Sequence, residues 1–210
     1  MSITFYFTPQ SNATRVHWSL EELGIPYEQV KLDLRAGDQK KPDFLALNPN
    51  GKVPTLVIDG TPVFESVAIQ IALGERYGVE KGLWPALGSP EHLQALTWLV
   101  WGQVTLGTAL MRYLQNTSSW VPKELHHAGQ AETAMKEVHT CLEMLNARLS
   151  DRENLTGSSF TLADVDLAAV LGWGLHVAKV DMAAYPKVAD WLDRANQRPA
   201  MRAVMATETA

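Results

Sequence analysis

The first third of the chain alternates between short strand-like runs and helix-length periodic segments. Ser2-Ile3-Thr4-Phe5-Tyr6-Phe7 alternates and is rich in β-branched and aromatic residues, so it predicts a strand. Thr8-Pro9-Gln10-Ser11-Asn12 breaks that run as a turn. From Arg15 to Leu23 the apolar positions Val16, Leu20 and Leu23 share one helical face, and Gly24 ends the helix. Ile25-Pro26-Tyr27 leads to a second strand, Glu28 to Leu34, which completes a βαβ unit. Gln39 to Leu47 predicts another helix, stopped at Asn48-Pro49. Two short strands follow around the Asp59-Gly60 turn, the second of them Pro62-Val63-Phe64. Val67 to Leu73 then predicts a helix running on toward Arg76-Tyr77.

Beyond Gly78 the pattern changes. Gly78 to Pro90 mixes glycine, proline and polar residues and reads as a linker. After it the periodicity is helical. Glu91 to Tyr113 carries Leu96, Leu99, Val100, Leu106 and Leu110 along one side, and Leu125 to Leu149 is a second long candidate. Thr161-Leu162-Ala163-Asp164 has the spacing of a capping box with Asp in place of Glu. Pro186 and Pro199 sit where proline opens a helix. The expected organisation is an α/β domain over residues 1–78, a linker over 79–90 and an all-helical domain over 91–210.

Two dipeptides carry the candidate chemistry. Val53-Pro54 stands at a strand start. A cis bond there would turn the backbone N–H and C=O of Val53 outward, toward a peptide binding as an added strand. Glu65-Ser66 stands at a helix start. The serine hydroxyl and the free N–H groups of that helix suit a carboxylate, and the glutamate suits an ammonium. Together the pair is shaped for an amino-acid head. A plain serine cap beside an exposed acid is the simpler reading of that pair alone.

With Lys52-Val53-Pro54 and Glu65-Ser66 at this spacing, inside a βαβ-α-ββα order, the chain resembles the cytosolic glutathione S-transferases, theta- and beta-like bacterial members among them. The capping box, Trp191 and Arg198-Pro199 extend the resemblance through the helical half. It implies a thioredoxin-like N-terminal domain, an all-α C-terminal domain, glutathione as co-substrate and a homodimer in the cytoplasm. The implied reaction is conjugation of glutathione thiolate to a small hydrophobic electrophile. A glutathione-dependent isomerase or dehalogenase, or a non-catalytic glutathione-binding protein, would use the same site. The resemblance also implies that Gln39, Lys52, Val53, Pro54, Glu65 and Ser66 hold glutathione. Ser11 is the first candidate to hydrogen-bond the sulfur, four residues before Arg15 as in theta-like members. Asn12 is its rival, standing where beta-class enzymes carry a catalytic cysteine, and Tyr6 is a third. Trp101 and Met111 are expected at an acceptor pocket.

Charge and cysteine content narrow the classes further. The net charge is −5 with no basic stripe, which disfavours nucleic acid as a partner. No apolar run reaches membrane-spanning length, and the expected chain has no signal peptide. The single cysteine, Cys141, lies in a helical pattern beside Leu142 and Leu145. It reads as structural, and dithiol chemistry is not expected of it. His126 and His127 are adjacent and no HExxH occurs, so no metal is expected.

Overall fold

A computed structural model describes residues 2–208. It forms two compact units, Met1–Leu87 with Gln197–Ala210, and Gly88–Asn196.

The first unit is built on a four-stranded mixed sheet in the order β2-β1-β3-β4: β1 (Ile3–Phe7), β2 (Glu28–Lys31), β3 (Thr55–Ile58) and β4 (Thr61–Phe64). β1 and β2 run parallel, as the βαβ pattern requires, while β3 is antiparallel to both β1 and β4. Side chains alternate across β1. Ile3, Phe5 and Phe7 are buried, and Tyr6 points to the other face, where its ring meets Phe44 of α2 (Pro42–Leu47). α1 (Thr14–Leu23) buries Val16, Trp18, Leu20 and Leu23 and ends at Gly24 in the left-handed conformation, as its sequence predicts. α3 (Ser66–Leu73) is joined to α1 through a buried polar bridge. Ser19 Oγ donates to Gln70 Oε1 at 2.7 Å, and Gln70 Nε2 donates to the Arg15 carbonyl at 3.1 Å. The expected helix over 39–47 is two pieces, a 3₁₀ turn Asp38–Lys40 and then α2. Pro42 sits in the first turn of α2 and cannot continue a helix from its N-terminal side.

The second unit is helical: α4 (Pro90–Trp101), α5 (Gly107–Gln115), α6 (Ala128–Arg148), α7 (Leu162–Ala178) and α8 (Pro186–Asn196). The segment expected as one helix over 91–113 is α4 and α5 joined by a π-helical stretch, Gly102–Leu106. Gly102 is there because α7 comes close. A Cβ on it would lie 2.9 Å from Leu167 Cδ1. The capping box forms at the head of α7, where buried Asp164 accepts from Thr161 N–H (2.9 Å) and Oγ1 (2.8 Å), Leu155 N–H (2.9 Å) and Trp191 Nε1 (3.2 Å). Burial pushes its carboxyl upward, and these donors pull it back only in part.

α9 (Pro199–Glu208) departs from the expected division at residue 91. It packs on α1 in the first unit. Arg198 anchors it by a two-pronged pair with Glu22 at 2.6 and 2.7 Å, and Trp18 Nε1 donates to the same carboxylate. Among the described residues no helix is long and apolar enough to cross a membrane.

Candidate functional site

Strand register collects the predicted residues at one edge of the sheet. Tyr6 of β1, Thr55 of β3 and Phe64 of β4 are neighbours in one row. The turn after β1, the Val53-Pro54 entry to β3 and the Glu65-Ser66 exit from β4 therefore leave the sheet side by side. β2 pairs Lys31 with Phe7, so the segment carrying Gln39 and Lys40 starts from the same edge. Neighbouring strands are about 4.8 Å apart, so β1 to β4 spans about 10 Å along this edge. That is the reach of about three extended residues.

The β3 end has the expected cis Val53-Pro54 bond. Among the described residues, neither the N–H nor the C=O of Val53 has a hydrogen-bond partner. Asn48, which the sequence presents only as a turn residue, holds this segment in shape. Its buried Nδ2 donates to the Lys52 carbonyl (2.9 Å) and to Thr55 Oγ1 (3.0 Å), and its Oδ1 accepts from Asn50 N–H (3.0 Å). Gly51, at φ 58°, lets the 3₁₀ turn close in. A Cβ there would stand 2.8 Å from the Gln39 carbonyl oxygen and 3.0 Å from Lys40 Nζ. Lys52 is exposed. Gln39 Nε2 donates to the Leu34 carbonyl at 3.2 Å, while its buried Oε1 has no partner among the described residues.

The β4 end carries the local strain. Glu65 is the N-cap of α3 at φ 69° and ψ 118°, a region costing a non-glycine residue about 1–3 kcal/mol. Neither Glu65 nor Ser66 caps α3 with its side chain. The strained backbone leaves an exposed carboxylate, a half-buried hydroxyl and the first N–H groups of α3 in one place.

The β1 end is held more tightly. Ser11 Oγ donates to the Thr8 carbonyl at 2.6 Å and accepts from Ala13 N–H at 3.1 Å. A hydroxyl has one hydrogen, and here it serves the turn. Asn12 is exposed. Its Oδ1 accepts from Arg15 Nη2 at 3.1 Å, which leaves the Nδ2 hydrogens free among the described residues. Tyr6 keeps its ring against Phe44 on the face of the sheet.

Trp101 and Met111 belong to the second unit. Trp101 packs edge-on against Trp98, with ring centres 5.0 Å apart, and Met111 is exposed on α5. Arg148 covers the other ring of that pair, 5.5 Å from the Trp98 centroid. Cys141 is buried and unpaired, and burial, with Glu137 nearby, pushes its thiol up. Among the described residues no cluster of His, Cys, Asp or Glu could hold a metal.

Comparison with known proteins places the fold in a family. Residues 1–71 match the family model of the glutathione S-transferase N-terminal domain, and residues 127–194 match that of the C-terminal domain. The chain is 31% identical to the disulfide-bond oxidoreductase YfcG of Escherichia coli K12 over 94% of its own length and 92% of the relative's. It is also 31% identical to the glutathione S-transferase GstB of the same organism, over 93% of each chain. A sphingomonad glutathione S-transferase solved in complex with glutathione superposes with a TM-score of 0.84 at 30% identity, covering 98% of both chains.

Proposed function

Since the chain belongs to the glutathione S-transferase superfamily, we propose that the open edge of its sheet binds glutathione as a co-substrate and activates its thiol. The observation that supports this is the row Tyr6–Thr55–Phe64, which brings the turn after β1, Val53-Pro54 and Glu65-Ser66 to one edge of the sheet, about 10 Å long. The γ-glutamyl head goes to Glu65 and Ser66, ammonium to the carboxylate and carboxylate to the hydroxyl and the α3 N–H groups. The cysteinyl backbone pairs with the open N–H and C=O of Val53 as an added strand, beside Pro54. The glycyl carboxylate lies toward Lys52 and Gln39. The sulfur then faces the turn after β1.

The reaction needs thiolate at neutral pH, and an ordinary thiol titrates near 8.5. A hydrogen bond to the charged sulfur supplies about 1.5–3 kcal/mol, or about one to two pKa units. Ser11, the first candidate for this bond, commits its hydrogen to the Thr8 carbonyl. The Asn12 amide is the free donor, with its oxygen already fixed by Arg15. We assign sulfur stabilisation to Asn12 and bracing of the turn to Ser11. The activated thiolate attacks a small electrophile. The exposed stripe Leu93, Val100 and Val104 on α4 and the π segment is the proposed face for a second copy.

A second reading follows from the relative named as a disulfide-bond oxidoreductase. The same thiolate attacking a disulfide sulfur would give a mixed disulfide and release a thiol. It would need no cysteine of the protein, and Cys141→Ala would leave such activity unchanged.

The test of the reading is retention on immobilised glutathione with elution by free glutathione. Passage without retention, for protein that is folded by circular dichroism, would remove it.

A further inference from the structure

The turn that carries Ser11 and Asn12 is pinned from the far end of the chain. Glu208, on α9, is buried with 7% exposure against the head of α1. Its Oε2 accepts from Gln10 N–H at 2.9 Å and from Thr14 Oγ1 at 2.7 Å. Its Oε1 stands 3.4 Å from Nδ1 of the buried His17. Those contacts bracket Ser11 and Asn12. Gln10 lies before them at φ 54°, and Thr14 after them opens α1. Among the described residues the other hydrogen bonds of the turn are short-range, apart from Thr8 Oγ1 to the Leu32 carbonyl at 2.8 Å.

The surroundings show a built site for a carboxylate. His17 is walled by the rings of Phe5, Phe7 and Tyr27, and its Nε2 faces Gln29 Nε2 at 3.5 Å. Burial acts to raise the Glu208 carboxyl, but His17, Thr14 and Gln10 outweigh it and leave it below the ordinary glutamate range. An anion is the favoured form there. α9 itself is anchored at its other end by Arg198 on Glu22, so Glu208 is not needed merely to attach the helix.

We propose that Glu208 is a positioning residue: through Gln10 and Thr14 it fixes the β1–α1 turn in the geometry that presents Asn12 to the glutathione sulfur. The proposal rests on the glutathione reading for its functional half. Its structural half stands on the free protein. Without the carboxylate, Gln10 loses its N–H acceptor, Thr14 loses its hydroxyl acceptor, and the two ends of the turn are no longer held to one point. Glutathione would still bind through Glu65 and Ser66, which lie at the head of α3.

The experiment compares wild type, Glu208→Ala, Glu208→Gln and Thr14→Val. Two readouts are taken: amide exchange at Gln10 in the free protein, and the ultraviolet thiolate band of bound glutathione against pH. In Glu208→Ala, Gln10 exchange should accelerate at least about tenfold. The bound thiol pKa should rise by about one unit, so that thiolate at neutral pH falls by up to about tenfold. The glutathione dissociation constant should stay within a few-fold. Glu208→Gln should restore most of both readouts, because one amide oxygen can accept both bonds while the amide nitrogen donates to His17. Thr14→Val, near-isosteric and lacking one donor, should move both readouts part of the way, and it serves if Glu208→Ala does not fold. Unaltered thiol pKa in Glu208→Ala and Thr14→Val, with glutathione bound, would overturn the positioning role. If wild type shows no thiolate band, the glutathione reading falls and the functional half falls with it. Gln10 exchange then decides the structural half, and exchange unchanged by Glu208→Ala overturns that too.

Discussion

At the scale of single residues the proposed site divides holding from activating. In that proposal Glu65 and Ser66 carry binding, Glu65 from a backbone held at φ 69° and Ser66 from the first turn of α3. Ser66→Ala and Glu65→Gln should each weaken glutathione binding by about 1.5–3 kcal/mol, the range of charge-assisted hydrogen bonds. Ser11→Ala should leave the dissociation constant within a few-fold. Titration calorimetry on the three variants checks this, and equal losses at all three would contradict it. The cis-compatible Val53-Pro54 at a strand start and the placing of Glu65-Ser66 at a helix start were legible, because a proline there and an acid–hydroxyl pair have short-range meanings. The hydrogen bonding of Ser11 was not. Whether its hydrogen goes to a ligand or to Thr8 depends on a 2.6 Å contact that only the folded turn defines.

At the scale of elements, caps and helix ends decide what the chain can hold rigid. Asp164 gathers two backbone N–H groups, a hydroxyl and the Trp191 indole at the head of α7. Replacing it by Ala strands buried donors, and Asp164→Ala should lower stability by about 2–4 kcal/mol by urea denaturation. A loss under about 0.5 kcal/mol would mean that water takes over those donors. The box itself was legible as Thr-x-x-Asp, but its extension to Leu155 and Trp191 was not, since both partners come from outside α7. Glu208 sets the pH behaviour of α9. Its folded-state pKa lies below its unfolded value, so its contribution is present above the unfolded value and is lost as pH falls through the folded one. The facing groups are His17 Nδ1, Thr14 Oγ1 and Gln10 N–H, with Tyr27 and Gln29 beyond the imidazole. Wild type should exceed Glu208→Gln in melting temperature at neutral pH, and the gap should close as pH drops below that range. A gap constant down to acid pH would show that the charge contributes nothing.

At the scale of the whole molecule, the α/β half followed by a helical half was readable from the change in periodicity after Gly78. The return of α9 to the first unit was not. Pro199 marks a helix start, but nothing in its pattern says that the partner is α1, some 180 residues away; the pairing is made by Arg198 on Glu22 and Glu208 on the turn. Long-range polar contacts of this kind have no period to betray them. Assembly belongs to this scale too. The exposed apolar stripe on α4 and the π segment predicts a homodimer, so sedimentation at micromolar concentration should show about twice the 23.2 kDa of one chain. A single species at the monomer mass would contradict it, and Val104→Glu should dissociate the dimer if that stripe is the contact.

The account turns on a glutathione sulfur made anionic by the turn after β1. The most direct measurement is the pKa of bound glutathione, followed by its thiolate absorbance, in wild type, Asn12→Ala and Ser11→Ala. Wild type should titrate about one to two units below the free thiol. Asn12→Ala should return most of that shift, and Ser11→Ala, which loosens the turn without removing the donor, should return less. Bound glutathione titrating near 8.5 in wild type, or a shift lost in Ser11→Ala and kept in Asn12→Ala, would contradict the account.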